Sequence, residues 1–406
     1  MNTSRPFLPV ILGTDINTYG MARSFHEAYG LRSLALGRSR QYATSDSAIL
    51  DVDVYPNFDT DPAFRDQIAG IGRELSRRGL PLLLVPCSDT YVELVSKNRE
   101  LLEPYFLFNC VSEDLRQKLE NKQDFYRSCA EHGLPYPATV VVNKESFRTV
   151  ELPFDFPVAV KADDSIAYFH LHFADKKKAY QAADRAELML ILETVYEAGY
   201  GGDMILQDFI PGGMETMYVL NAYVDQTGQV RMTCTARCAL DECLPADIGN
   251  YNALLTGDYP AIDAQCKSYL EKINYRGFAN FDLKFDHRDG QYKVFELNLR
   301  QGRSSFYATA AGNNLAAWLA ADLLGEGAAK YVRNTEEHLW LNVAKKVLLD
   351  YAPSELKPEL KRMLKAKKVS YTLDYARDQS VRRRLSLLRR KLSTLRYYPR
   401  FCGKGK

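Results

Sequence analysis

Residues 278–305 read FANFDLKFDHRDGQYKVFELNLRQGRSS. Two runs in which apolar and polar residues alternate flank Arg288-Asp289-Gly290, a three-residue hairpin loop with Gly290 where such loops favour a left-handed backbone. That closure pairs His287 with Gln291, Asp282 with Glu296 and Asn280 with Asn298. Period two then places Asn280, Asp282, Lys284, Glu296 and Asn298 on one face, and Phe281, Leu283, Phe285, Phe295 and Leu297 on the other, which is a core face. Two opposed carboxylates repel and weaken a hairpin. A divalent cation between them reverses that sign, and two carboxylates with an amide oxygen are hard donors that suit Mg2+. A solvated polar face with Lys284 balancing the acids is the competing reading, and a two-residue turn would separate the acids.

Upstream, residues 8–37 alternate strand (LPVILG), loop (TDINTYG), helix (MARSFHEAYG) and strand (SLALG), followed by DVDVYP at 51–56, a helical stretch at 61–79, the apolar run LPLLLVP at 80–86 and a helix at 88–103. Strands alternating with helices predict a parallel sheet, and a continuously apolar strand predicts burial on both faces. The pattern predicts an α/β domain over 1–112. From 113 onward, helices alternate with hairpins (FPVAVKA, MILQDFIPG, VLNAYVDQTGQVRMTCTAR), an α+β arrangement with antiparallel sheets running to about 325. Residues 326–406 are helical in pattern.

The 406 residues suffice for two or three domains and need no disulfide or metal to build a core. Net charge is only +2, but residues 361–406 hold 16 Lys and Arg against Asp374 and Asp378 alone, so an acidic body carries a basic tail. No window approaches about 18 uninterrupted apolar residues. The first apolar run is too short for a signal peptide and reads as a strand, and eight scattered cysteines point to a reducing, cytoplasmic setting. Neither a G-x-G-x-x-G turn nor a Walker-type phosphate loop occurs. Cys234, Cys238 and Cys243 lack the spacing of a zinc site. Asp15 and Asp89 read first as turn and cap residues, with a substrate-facing role as the alternative because ligands tend to bind at the carboxyl ends of parallel strands.

The chain resembles the ATP-grasp superfamily over roughly 1–325. Lys122, in ENKQDFYRSCAEHGLPYPAT, is similar to the first ATP-binding lysine of that family, and Lys161, in PVAVKA, to the second, which reaches the phosphates. ILQDFIPGGMET resembles the hinge that holds adenine through Gln207, Asp208, Phe209 and Ile210, with Glu215 as the acid for the ribose hydroxyls. Asp282, Glu296 and Asn298 match the magnesium ligands, and Arg300 completes the E-x-N-x-R pattern. An ammonium is a compact charge suited to phosphate oxygens. The resemblance therefore implies an ATP-grasp fold: a Rossmann-like parallel-sheet domain (1–112), a small subdomain (113–203), a large subdomain with the metal site (204–325) and a basic helical extension (326–406). Two departures stand out. The loop after Lys161 is Ala-Asp-Asp-Ser-Ile-Ala without glycine, leaving Ser165 as its one hydroxyl, and Asn280 stands where relatives often carry an arginine. Arg237 and Arg303 are candidates to replace that charge.

Within the superfamily the whole chain resembles the D-aspartate ligases of Gram-positive bacteria, through VILGTDINTYGMARSFHEAYG, KADDSIAYFHLHFADKKKAY and RQGRSSFYATAAGNN. The resemblance implies ATP and Mg2+ as cofactors, an acyl-phosphate route, and D-aspartate joined through its β-carboxylate to the lysine ε-amine of a UDP-linked muropeptide. Lys284, Arg237, Arg300 and Arg303 are the expected catalytic cations, Arg303 facing the second substrate carboxylate or else capping the helix near Ser305. The alternatives are an ATP-grasp ligase for a different amino acid and a catalytically silent nucleotide-binding protein recruited by its tail. Leu385, Leu388, Leu392 and Leu395 recur at helical spacing among arginines, a pattern that fits an anionic membrane surface and equally RNA binding or packing on the acidic body, with a solvated charged helix as the plain alternative.

Overall fold

A computed structural model describes residues 6–164, 167–168, 170–177, 179–244, 249–326 and 330–402. The chain divides into two compact units, Met1–Arg116 with Gly213–Leu283 and Glu296–Lys406, and Gln117–Gly212 with Lys284–Phe295.

The first unit opens on β1 (Leu8–Leu12), β2 (Ser33–Gly37), β3 (Leu50–Val54) and β4 (Leu82–Pro86), a wholly parallel sheet of order β3-β2-β1-β4. β4 is buried along its whole length, as its unbroken apolar run predicts. The helix Ile16–Tyr29 connects β1 to β2. Asp15 caps it by accepting from Thr18 N–H at 3.0 Å, and Gly30 ends it in a left-handed conformation at φ 67°.

The second unit contains β5 (Thr139–Val142), β6 (Val158–Ala162), β7 (Ala179–Ala182) and β8 (Met204–Asp208), an antiparallel sheet of order β5-β8-β6-β7. The helix Arg185–Glu197 covers it with Leu188, Leu192 and Tyr196, packed on Val158, Val160, Met204 and Leu206. Its start is a reciprocal cap: Asp184 accepts Glu187 N–H and Glu187 accepts Ala183 N–H.

Back in the first unit, β9 (Met217–Val224), β10 (Val230–Asp241), β11 (Tyr251–Thr256), β12 (Gly277–Asp286), β13 (Gln291–Asn298), β14 (Val332–Arg333), β15 (Leu339–Leu341) and β16 (Val369–Tyr371) form one large sheet, ordered β13-β12-β9-β10-β11-β15-β16 with β14 beside β10. The outer part of the β12–β13 ribbon, Lys284–Phe295, belongs to the second unit. The ribbon closes through four residues rather than three, with Gly290 at φ 71° donating its N–H to Asp286 O. Asp286, fully buried, pulls the turn in by binding Arg288 and Lys293, and those cations hold its carboxyl far below the usual range.

The region past 326 adds strands to the expected helices. β15 is only Leu339-Trp340-Leu341, a run too short to show period two, yet all three side chains are buried against β11. The helix Val381–Phe401 follows. Its buried face carries Arg383, Thr394 and Tyr398. Arg383 lies 3.2 Å from Asp378, and both are buried, as is Tyr19, whose hydroxyl donates to Asp378 at 2.7 Å. Tyr398 donates to Asp241 O and accepts from Asn252, each at 2.7 Å. Cys402 is bonded to Cys243, where free thiols were expected, and the six other cysteines are buried free thiols.

A buried charge that loses its partner costs about 3–5 kcal/mol. Asp378→Ala strands Arg383 and removes the acceptor of Tyr19, so urea denaturation should show the first unit destabilised by about that amount, while Asp374→Ala, an exposed neighbour, should change stability by less than about 0.5 kcal/mol.

Candidate functional site

The first unit gathers the acids. Tyr251 on β11 donates to Asp282 Oδ1 at 2.6 Å, and Asn298 Nδ2 donates to Asp282 Oδ2 at 3.3 Å and to Asn280 Oδ1 at 3.2 Å. Asn280, Asp282 and Asn298 thus share one face across the two strands. The charge of Glu296 reaches the same group: burial first and Glu296 second push the Asp282 carboxyl far above the usual range, against the lowering hydrogen bonds of Tyr251 and Asn298 and the positive charge of Arg300.

Among the described residues no cluster of three or more His, Cys, Asp or Glu side chains could hold a metal by itself. The donor set is instead two carboxylates and an amide, of which Asn298 presents oxygen after a flip of its amide plane. A divalent cation would relieve the repulsion that raises Asp282, so these residues fit one.

Arg237 on β10 donates from Nε to Glu215 O at 2.7 Å, and the Glu215 carboxylate accepts Gly213 N–H at 2.8 Å within the turn Met214–Thr216. The backbone of Glu215 is thereby fixed by the arginine. Arg300 pairs with Asp89 at 2.8 Å, and its buried Nε has no hydrogen-bond partner among the described residues. Ser88 rather than Asp89 caps the helix Asp89–Lys97, which leaves the Asp89 carboxylate to the arginine. The positive charge of Arg303 reaches both Asp15 and Tyr42. Burial raises the Asp15 carboxyl, and Arg300 and Arg303 both pull it back. The helix Phe306–Ala310 has no side-chain cap, and Ser305 instead contacts Asn17. Two guanidiniums and two carboxylates therefore meet at the carboxyl ends of β1 and β4, where open parallel sheets bind ligands.

The second unit gathers cations. Lys122 begins the helix Lys122–His132 and donates to Ala162 O at 3.2 Å and Asp163 O at 2.8 Å. Lys161, on β6, lies 3.3 Å from Tyr126 Oη and 3.4 Å from Gln207 Oε1. Both ammonium groups thus sit at one end of the β6–β8 pair. Of the two acids in the glycine-free loop, Asp164 is turned to accept Ala167 N–H, and Asp163 is raised above its usual range by burial. Ser165 lies outside the described residues.

Along the hinge, the Asp208 side chain is committed to Arg288 at 2.5 and 3.0 Å, and the Asp208 N–H to Ala138 O. Lys284, expected among the catalytic cations, donates to Ile210 O and Gly212 O, both at 2.7 Å, with its ammonium 5.2 Å from the Phe209 ring centre. Its position makes it a brace for the hinge.

Tyr251, Tyr126, Asp89 and Arg288 carry these arrangements and were not singled out as site residues. Asp89 was set aside as a cap. The tyrosines give no local signal, because only strand pairing and helix packing bring their hydroxyls to Asp282 and Lys161.

No family model matches the chain. It is 42% identical to the D-aspartate ligase of Enterococcus faecium (strain Aus0004) over 408 residues, covering 97% of this chain and 96% of the relative. Among solved structures it is similar to an L-amino acid ligase from Bacillus licheniformis (TM-score 0.55, 14% identity, 79% of this chain and 75% of that one). It is also similar to the biotin carboxylase domain of the Hydrogenobacter thermophilus 2-oxoglutarate carboxylase in complex with MgADP (0.58, 14%, 81% and 71%). A third likeness is to an ADP complex of N5-carboxyaminoimidazole ribonucleotide synthetase (0.57, 12%, 84% and 81%). These structural likenesses support the fold expected from the sequence.

A carboxyl raised on folding, as Asp282 is, stabilises the native state below its unfolded value, and that contribution is lost as pH rises through the native value. Cation binding needs the deprotonated form, so the rise in melting temperature with Mg2+ should be larger at about pH 8 than at about pH 6. Asp282→Asn should abolish both the Mg2+ shift and its pH dependence.

Proposed function

The chain belongs to the D-aspartate ligase family of ATP-grasp carboxylate–amine ligases, and on that premise we propose that it joins D-aspartate, through its β-carboxylate, to the ε-amine of lysine in a UDP-MurNAc-pentapeptide at the expense of ATP. The observation that carries this reading is the likeness to the Enterococcus ligase, which extends over nearly the whole of both chains.

The β-carboxylate oxygen attacks the γ-phosphorus of ATP, ADP leaves, and a β-aspartyl phosphate results. The lysine amine then attacks the acyl carbon, loses a proton, and inorganic phosphate departs with the C–O bonding pair. Such a sequence asks the protein mainly to position the reactants and neutralise charge. Lys122 and Lys161 act as ammonium donors to phosphate oxygens. The backbone of Gln207–Ile210 and the ring of Phe209, braced by Lys284, take the adenine. Glu215, its backbone fixed by Arg237, takes the ribose hydroxyls.

Asp282, Glu296 and Asn298 would hold Mg2+, which supplies charge neutralisation at the polyphosphate. Arg300, oriented by Asp89, donates to the transferring phosphoryl group. Arg303 binds the α-carboxylate of D-aspartate, and Asp15 its α-ammonium.

Incubation with ATP, Mg2+, a lysine-containing UDP-muropeptide and either D- or L-aspartate tests the reading through phosphate release and product mass. Release that depends on D-aspartate, with a product heavier by one aspartyl residue, is expected. Release with a different amino acid would move the chain to another carboxylate–amine ligation. Lys161→Ala and Glu296→Gln should each lower turnover at least a hundredfold, equivalent to about 3 kcal/mol of barrier, with an unchanged circular-dichroism spectrum. Near-native turnover in either variant would overturn the residue assignment.

A further inference from the structure

The helix Val381–Phe401 buries one face, through Arg383, Thr394 and Tyr398, and carries a separate apolar row that the body of the first unit leaves half-exposed. At about 100° per residue, Val381, Leu385, Leu388 and Leu392 fall within an arc of about 60°. They are 75%, 52%, 52% and 50% exposed. Arg383, Thr394 and Tyr398 lie on the opposite side and are buried. Leu387 and Leu395 are half-buried and pack on the cores, so packing accounts for the inner leucines and not for the outer row.

The flanks of the outer row are cationic. The helix carries Arg382, Arg383, Arg384, Arg389, Arg390, Lys391, Arg396 and Arg400 and not one acid. Arg382, Arg384 and Arg389 are exposed beside the leucines. Arginines at a helix N-terminus oppose the helix dipole, so stability alone does not favour this placement. Against the body runs a groove of about 510 Å³, lined by Leu373, Leu385 and Leu388 with Arg384 and Lys391.

We propose that the outer face of the helix Val381–Phe401 is a docking surface for an anionic lipid bilayer, on which the helix lies flat. An apolar row of one valine and three leucines about 17 Å long, bordered on both sides by guanidinium groups, matches an apolar layer beneath anionic headgroups. No helix among the described residues is long and apolar enough to cross a membrane, so the helix rests on the surface and does not span it. A second copy of this face would bring like charge against like charge. RNA would satisfy the arginines but leave the leucine row in water. The buried Arg383–Asp378 pair near one end, and the Cys243–Cys402 bond just past the other, hold the helix in place with its outer row half-exposed beside the groove.

Co-sedimentation of the full chain with phosphatidylcholine vesicles, with and without phosphatidylglycerol, tests this independently of ligase activity. Binding should be at least about tenfold tighter to the anionic vesicles and should weaken steeply with salt. The triple variant Leu385→Gln, Leu388→Gln, Leu392→Gln should lose at least tenfold in vesicle binding, with the circular-dichroism spectrum and turnover on soluble substrates unchanged, because these side chains are half-exposed and belong to neither the buried core nor the site. Arg382→Gln with Arg389→Gln should reduce the preference for anionic vesicles and its salt dependence. Equal binding to both vesicle types, a triple variant that binds like the parent, or tighter binding to single-stranded RNA than to anionic vesicles would each overturn the proposal.

Discussion

Asp282 and Glu296 are two acids on one β-ribbon, and the charge of Glu296 raises the cost of charging Asp282. Burial adds to that cost until the Asp282 carboxyl stands well above its ordinary range. Two neutral hydrogen-bond donors, Tyr251 and Asn298, and the more distant charge of Arg300 reduce the penalty without cancelling it. A pair of acids held this way is a poor structural element, and a divalent cation bound between them would relieve that cost. The large sheet exists in part to hold that pair: β11 contributes the tyrosine, and β12 with β13 contributes the acids and amides.

The cationic half of the chemistry follows a different logic. Lys122 donates to the backbone oxygens of Ala162 and Asp163, and Lys161 lies beside the Tyr126 hydroxyl and the Gln207 amide oxygen. The acids in the same unit are spent elsewhere, Asp208 and Asp286 on Arg288, and Asp164 on a backbone N–H. Arg300 in the other unit pairs with Asp89, and its buried Nε has no hydrogen-bond partner among the described residues. Nη1 donates to Gln301 O, so contacts on both terminal nitrogens fix the direction of the group.

The basic end of the chain shows the same separation of tasks on a larger scale. One face of the helix Val381–Phe401 is used up in folding, through Arg383, Thr394 and Tyr398. The opposite face keeps a row of leucines in water, which burial would favour by roughly 1.5–3 kcal/mol per side chain. Such a face is unexplained by the fold and is accounted for by something outside it.

Much of this was legible without a structure. The unbroken apolar run at 82–85 announces a parallel strand buried on both faces, the alternation at 278–298 announces a ribbon with one polar face, and Lys122, Lys161, Glu215, Asp282, Glu296 and Asn298 appear in an order that the ATP-grasp resemblance makes meaningful. Local periodicity determines these features because strand and helix geometry repeat over two to four residues. What lay beyond reach depends on partners far away in the chain. Lys284 shares a face with the acids by period, yet its ammonium goes to the carbonyls of Ile210 and Gly212. The β15 segment is too short to have a period and becomes a strand only because β11 offers it an edge. The amphipathic spacing of the last helix was plain, but which leucines face the body was decided by Arg383 finding Asp378 and by Tyr398 finding Asn252, contacts that no window of sequence contains.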